Sequence, residues 1–549
     1  MNPLRHLSGY WRARLSAEHG FTMLLALFVL MITTLLLGSA YMAVAGDVGL
    51  SHNDLSQKQA LSAAQAGIAA YNYDLNQNPN YWELCASATA VAVPGSATET
   101  YTTAPLVAST APSGTTSCST ANPIATMIEA ATLTSGAINP AAGTFRISST
   151  GTAGSVSRTI VAQYKRSSFL DFVYYTDYET IDPAALPGNP ADCARHYGDT
   201  PARGVNCSGP ISFVTGDVIS GPLHSEDTLA ICGNPVFGRT SNDQIQAPGL
   251  STEHQSGCTM PSAPYTAPFM TGTYNNTAPS LTPPPTDSQI LALTQPAYHF
   301  VGATTIVLAG ASMTVTNPAL GWVNQTVAFP SNGVVYVSSS TTSACSETYT
   351  PYTANATYPA MNGNPAGANY DPACGNAYIS GNYNASLTIA TDNDIIINGN
   401  LSPTGQPLGT TPTGTALLGL IANNFVRLYH PVNGNNPSLS ANCRASNANG
   451  SLANPYIYAA ILAVNHSFIV DNFNCGSALN NLTLYGTVAQ LFRGPVGTTS
   501  SGTVATGYIK KYTYDDRLAT IEPPDFLSPL SAAWYVQRQT ECDITAACR

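Results

Sequence analysis

Chemistry-bearing side chains are sparse in this 549-residue chain, and the densest group lies in GPLHSED, residues 221–227. His224, Glu226 and Asp227 fall within four residues, with Asp217 a short way upstream. On an extended strand side chains alternate faces, so His224 and Glu226 share one face and Asp227 points away. An imidazole beside a carboxylate can serve in acid–base catalysis or hold a metal. A polar strand end at the rim of a β domain accounts for the same residues. In TDNDIIINGN, Asp392 and Asp394 stand two apart and could hold Ca²⁺ through oxygens. That run lacks the glycine and distal glutamate of an EF-hand, and an Asp/Asn turn before a strand explains it equally. Lys510 and Lys511 near Asp515, Asp516 and Arg517 form the best local mixture of acid and base. Such a mixture suits a polysaccharide-active site, and it also suits a solvated turn between strands. No G-x-S-x-G elbow, H-E-x-x-H pair or phosphate-binding loop occurs. The expectation is a non-enzyme with no catalytic residue, no cofactor and no metal.

The twelve cysteines form no C-x-x-C unit, which argues against zinc. An even number of them, all beyond the N-terminal apolar run, points to an oxidising compartment. Their spacings fall into six local couples: Cys85/Cys118, Cys193/Cys207, Cys232/Cys258, Cys345/Cys374, Cys443/Cys475 and Cys542/Cys548. Spacing alone does not set connectivity; local loop staples are the expected use, with 193/207 and 542/548 foremost.

Only 9% of residues are charged, and the net charge of −11 comes with no basic cluster, so nucleic acid is not an expected partner. Gly, Asn, Thr, Ser, Ala and Tyr fill the gap, the composition of an extracellular β protein. Sequons at Asn384, Asn465 and Asn481 follow from the abundance of Asn, Ser and Thr.

Residues 21–46 run from Phe21 to Gly46 without a charge, behind Arg5, Arg12 and Arg14. About 20 apolar residues suffice to span a bilayer as a helix, and the upstream arginines favour a cytoplasmic N-terminus. The run exceeds the core of a secretory signal, although SAYMAVAG offers a weak cleavage match. A plain anchor and an unusual secretory signal are therefore both open. A basic leader, then Gly20-Phe21-Thr22, then the apolar helix resembles a type IV prepilin. The resemblance implies cleavage after Gly20 by a prepilin peptidase on the cytoplasmic side, and a mature chain starting at N-methylated Phe21. Most pilins carry Glu at the fifth mature position; here it is Leu25. That departure resembles PilX-type minor pilins and large tip pseudopilins, some of which lack the glutamate. A membrane protein that never polymerises would show the same leucine.

Residues 47–79 continue without proline until Pro79, and Leu61, Ala64, Ile68 and Tyr71 recur at helical spacing. The AL-AAQAG element there resembles the end of PilX-type N-terminal helices. Span and extension together make a rod of roughly 80 Å at 1.5 Å per residue. After an Ala/Ser/Thr/Pro-rich loop, residues 143–167 alternate around a Gly turn as a β-hairpin does, and RISSTGTAG…RTIVAQYKR resembles the PilX-type hairpin. FLDFVYYTDYETIDP near the module junction reads as a first strand packing on the head, or as an adhesive tyrosine surface.

Beyond it, IIINGNL, LLGLIANNFVRL, AAILAVNHSFIV and LTLYGTVAQL look like successive coils of a parallel β-solenoid, with a β-sandwich the competitor. GDVISGPLHS and LYGTV resemble bactofilin-like and related solenoid strands. An amphipathic helix is expected over 524–539.

The expected fold class is an α+β pilin-like module followed by a mostly-β, solenoid-like domain. Its parts are a leader (1–20), a membrane helix (21–46), a head with helix and hairpin (47–166), the β domain (167–523) and a C-terminal tail with a cysteine pair (524–549). The resemblance implies a low-copy subunit of a type IV pilus or pseudopilus, held in the inner membrane and then displayed outside. Its implied partners are other pilin subunits, the assembly machinery and the peptidase, with a surface polysaccharide or a host or abiotic surface as the contact. The alternatives are a surface-anchored binding protein or an anchored polysaccharide-active enzyme.

Overall fold

The computed structural model describes residues 21–78, 81, 89–105, 144–185, 193–199, 203, 207, 211–252, 257–345, 349, 371–433, 443, 445–500, 503–530 and 534–542. The chain divides into two compact units.

The first unit is built on a 57-residue helix, α1 (Phe21–Gln77). Behind it comes a five-stranded sheet of β1 (Val91–Ala92), β2 (Glu99–Pro105), β3 (Thr144–Ala153), β4 (Val156–Arg166) and the C-terminal strand Trp534–Glu541, in that order. β3 and β4 are the hairpin expected from the alternating run. The second half of α1 buries Ala60, Ala64, Ile68, Tyr71 and Leu75. Ala64, Ile68 and Tyr71 lie on this face as their spacing predicts, while Leu61 is half-buried and Ala60 takes the place against the sheet. The reason is contact distance. Small residues let the sheet backbone approach the helix, and a Cβ on Gly151 would lie 2.0 Å from the Ala60 carbonyl oxygen. The Ser149 hydroxyl donates to the Ala64 carbonyl at 2.8 Å, and the Tyr164 hydroxyl donates to the Ile68 carbonyl at 2.8 Å. Both bonds take carbonyls on the sheet-facing side of the helix.

Among the described residues of 524–539 there is no helix. Residues 524–530 contain no helix and Trp534–Glu541 is a strand added to the head sheet. The apolar spacing there was a by-product of prolines and a Trp-Tyr-Val run, and the open side of β4 offered a ladder to complete. The whole second unit is thus an insertion between two strands of one small sheet.

The second unit, Lys165–Tyr535 with a short preceding piece, is held by parallel ladders. One stacks Val335, Ile389, Leu420, Ile461, Val488, Tyr174, Leu223, Ile245 and Tyr274, each paired with the next. A second stacks Leu308, Gly381, Leu401, Ile457, Leu484, Tyr512, Ile219, Phe237 and Met270. A third runs Ile306, Ile379, Ile397, Leu428 and Val470. Successive passes of the chain therefore lie over one another, and aliphatic residues repeat at the inward positions because each must cover the one below. Apart from Tyr274 and Gly381, the side chains in these stacks are buried. An antiparallel meander, Thr304–Gly310, Ser312–Asn317 and Trp322–Ala328, adjoins one end.

The order of coils is not the order of the chain. The aromatic strand β5 (Tyr174–Ile181) lies between the strands of Leu223 and Val488. The chain builds outward from β5 through Ile245 to Tyr274, restarts at the far end near His299, and works back until Val488 closes on Tyr174. Buried charges tie this seam. Arg493 donates to Glu179 at 2.6 Å and lies 3.7 Å from the Phe213 ring centroid, and Lys510 donates to Asp217 at 2.8 Å. Pairs of this kind add little net stability, but an unmatched charge here would be costly, so they penalise a slipped seam. β5 is therefore integral to the β domain. Tyr174 and Tyr175 are buried, which removes them from any adhesive surface.

Disulfides join Cys193–Cys207, Cys232–Cys258, Cys345–Cys374 and Cys443–Cys475. Each closes a local loop on the β domain. Cys542 is also disulfide-bonded. Cys85, Cys118 and Cys548 lie outside the described residues.

Candidate functional site

The first half of α1 differs from the rest of the described residues. Phe21–Met42 is a 22-residue segment long and apolar enough to cross a membrane, and none of it is buried against the protein. Phe21, Met23, Leu24, Leu35, Leu36 and Tyr41 are all exposed. Thr33, Thr34 and Ser39 return their hydroxyls to carbonyls about one turn back, so these polar side chains are satisfied within the helix. That is what a helix needs in a medium without water. Leu25 is exposed on this segment, Phe21 is the first residue of the helix, and Gly20 lies outside the described residues.

The candidates for chemistry all have partners within the fold. His224 is buried, with Nε2 2.8 Å from Glu226 and Nδ1 2.7 Å from Gln246. Its ring stacks on Tyr175. Glu226 also accepts the Leu281 N–H at 2.6 Å. Burial would raise the Glu226 pKa, yet these hydrogen bonds hold it below the usual value. His224 and Glu226 do meet, as the alternation requires. Asp227 points elsewhere and pairs with Arg203 while accepting the Glu179 and Tyr197 N–H groups. Asp217 accepts from Lys510. Lys511 donates to the Gly216 carbonyl at 2.7 Å. Asp515 pairs with Arg517, and Asp516 with Arg239. Asp392 and Asp394 part company: Asp392 accepts from the Ser339 N–H and the Tyr336 hydroxyl, while Asp394 accepts from the Phe425 N–H and Arg427. Among the described residues no group of three or more His, Cys, Asp or Glu could hold a metal.

Two arrangements had no local signal in sequence. Arg427, fully buried, sits between Asp394 at 3.0 Å and Asp471 at 2.9 Å. The Tyr336 hydroxyl touches both Asp392 (2.6 Å) and Asp287 (2.9 Å). One hydroxyl carries one proton, so it cannot donate to two carboxylates. A protonated Asp287 resolves this by donating to the Tyr336 oxygen while Tyr336 donates to Asp392. Burial, with repulsion from Asp392, indeed pushes the Asp287 pKa up to about 7 against the pull of the Tyr336 bond. The folded protein then binds a proton that the unfolded chain releases near pH 4. Stability from this site is greatest below that value, falls as pH rises toward 7, and stays low above it. Asp287→Asn is expected to raise stability by about 1–3 kcal/mol at pH 8 and to change it little at pH 4.5, read by urea denaturation. An equal effect at the two pH values would show that Asp287 is not protonated in the fold.

Fold and exposed helix together define a chain with one membrane-span-length N-terminal helix, a small helix-on-sheet head, and a large parallel-stacked β domain inserted in that head. No protein-family model and no curated protein matches it. Among solved structures, the competence-associated pilin ComZ from Thermus thermophilus aligns over 89% of this chain and 97% of its own. The identity is 13% and the TM-score 0.25, too loose a superposition to carry weight for fold or function.

Proposed function

We propose that this chain is a pilin-like subunit, present in few copies at a filament tip or among its minor components, that displays a parallel β-helix for surface contact. The role is non-enzymatic. The observation that carries it is α1 itself. One unbroken helix is bare and apolar over Phe21–Met42, then turns amphipathic and seats on an antiparallel sheet. A helix needing only to anchor a domain has no reason to run straight into that domain's core. One that must leave the membrane and pack with its neighbours' helices keeps the head rigidly fixed to the packing segment. The bulk of the inserted β domain favours few copies, because so large a head is awkward at every position of a helical filament. Leu25 agrees, since it withholds the buried carboxylate that would pair with a neighbour's terminal amine.

The test is N-terminal mass spectrometry of the protein from its native envelope, with and without Gly20→Leu. The expected mature chain starts at N-methyl-Phe21, and the substitution leaves Met1 or the full leader in place. A wild-type chain that keeps Met1, or that starts near Gly46, would remove the filament reading.

A further inference from the structure

A cavity of about 320 Å³ opens in the β domain beside Tyr349, Phe425, His466, Asn393, Asn424 and Asp394. We propose that it is a binding site for a neutral hydroxylated ring, a sugar residue. Its volume is at the low end for ligand clefts, room for one such ring.

Three observations set the chemistry. The first is His466. Its Nδ1 lies 3.0 Å from Oδ2 of Asp182, which is fully buried and also accepts the Ser467 hydroxyl. With the carboxylate on Nδ1, Nε2 is the ring's remaining polar atom. His466 remains 25% exposed, and among the described residues Nε2 has no partner. The second is the row of rings. Tyr349, Phe425 and His466 succeed one another, with centroids 4.8 and 4.5 Å apart and the last pair parallel within 10°. Because the rings pack on one another, the row lines the cavity with ring edges, an apolar wall for the C–H groups of a sugar. The third is the asparagine ladder. Asn424 donates to Asn393 at 2.5 Å and Asn393 donates to Asn376 at 2.7 Å. The ladder fixes the Asn424 carboxamide at the cavity wall, and its oxygen has no partner among the described residues.

Charge selects against ionic ligands. Asp394 is the lining carboxylate, and both its oxygens are taken, by the Phe425 N–H and by Arg427. An apolar wall, a fixed carboxamide and one ring nitrogen without a partner among the described residues, with no unpaired charge, match a neutral polyol, whose hydroxyls both donate and accept. This inference goes beyond the filament reading and does not rest on it.

The experiment uses the full chain in a sugar-free zwitterionic detergent. Saturation-transfer NMR is run with D-glucose, D-galactose, D-mannose and N-acetyl-D-glucosamine. Transfer to ring protons of at least one sugar is expected. Asn424→Ala should weaken it by about tenfold or more, and His466→Ala likewise. Asn424 is half-buried and outside any ion pair, so its variant keeps the fold even if loss of His466 disturbs Asp182. No transfer to any of the four, or transfer that survives Asn424→Ala, would overturn the proposal. Sugar binding by a chain that retains its leader would leave this site standing and remove the filament reading; methylated Phe21 without sugar binding would do the reverse.

Discussion

Arg427→Met is expected to cost about 3–5 kcal/mol of stability at pH 7.5, the largest loss for any single side chain in the β domain. The reason is what stays behind. Asp394 and Asp471 are both almost wholly buried, and Arg427 is the cation between them, with its guanidinium 4.8 Å from the Tyr349 ring centroid. Even with the arginine present, burial pushes the Asp471 pKa up to about 6. Without it, two like charges share a dry site, and at least one must take a proton to fold. Such a group binds protons more tightly folded than unfolded, so the variant loses stability as pH rises. The deficit against wild type should therefore widen from pH 5 to pH 8. Adding Asp471→Asn should recover a large part of it, because one buried charge goes with its cation. Urea unfolding of the single and double variants at the two pH values measures all of this. A deficit independent of pH would mean that the arginine acts through packing alone.

Gly151→Val is the second large effect, and it is aimed at the head. The added Cβ would lie 2.0 Å from the Ala60 carbonyl oxygen and 2.2 Å from the Ala64 nitrogen, both backbone atoms of α1. Neither can swing away as a side-chain tip can, so the helix must lift off β3. Lifting it breaks the Ser149–Ala64 and Tyr164–Ile68 bonds and exposes Ile68, Tyr71 and Leu75. We expect a loss at or above the usual overpacking range, about 3 kcal/mol. Hydrogen exchange should report it. Amides of Ala60–Leu75 should lose protection while those of Ile389, Leu420 and Ile461 keep theirs, since the two units have separate cores. Gly198→Ala, where nothing lies within 4 Å of the added carbon, is the control. Uniform loss across both units would show one cooperative fold instead.

Several elements were legible because their signals are local. An uncharged run of membrane length must be a helix wherever water is absent, and residues 21–42 are one. The hairpin of β3 and β4 announced itself by alternation around a Gly turn. The coils from Ile395 onward repeated aliphatic runs, because each inward residue covers another. The cysteine couples 193/207, 232/258, 345/374 and 443/475 were close in sequence, and short loops are the easiest to close. His224 and Glu226 meet because period-two alternation leaves them no choice.

What tertiary structure alone decided is whatever depends on pairing across long stretches of chain. Nothing near Tyr174 shows that its ladder neighbour is Val488, nor near Asp182 that it will orient His466. Parallel ladders take their register from the stack as a whole, so strand order could not be read from any one strand. The aromatic run at 169–178 looked like a surface or a head strand, yet it became the closing strand of the β domain. Residues 524–539 looked helical by spacing, yet Trp534–Glu541 became a strand because β4 had an open side. The acidic and basic residues, few as they are, looked like sites in the sequence. Some found local partners, as His224 did in Glu226 and Asp515 in Arg517, and the fold supplied others from afar, as Arg427 for Asp471 and Arg493 for Glu179. The sequence by itself therefore determined the membrane-length helix, the hairpin and the coil-forming runs. Tertiary structure decided how the coils are ordered, which charges face one another and where a cavity remains.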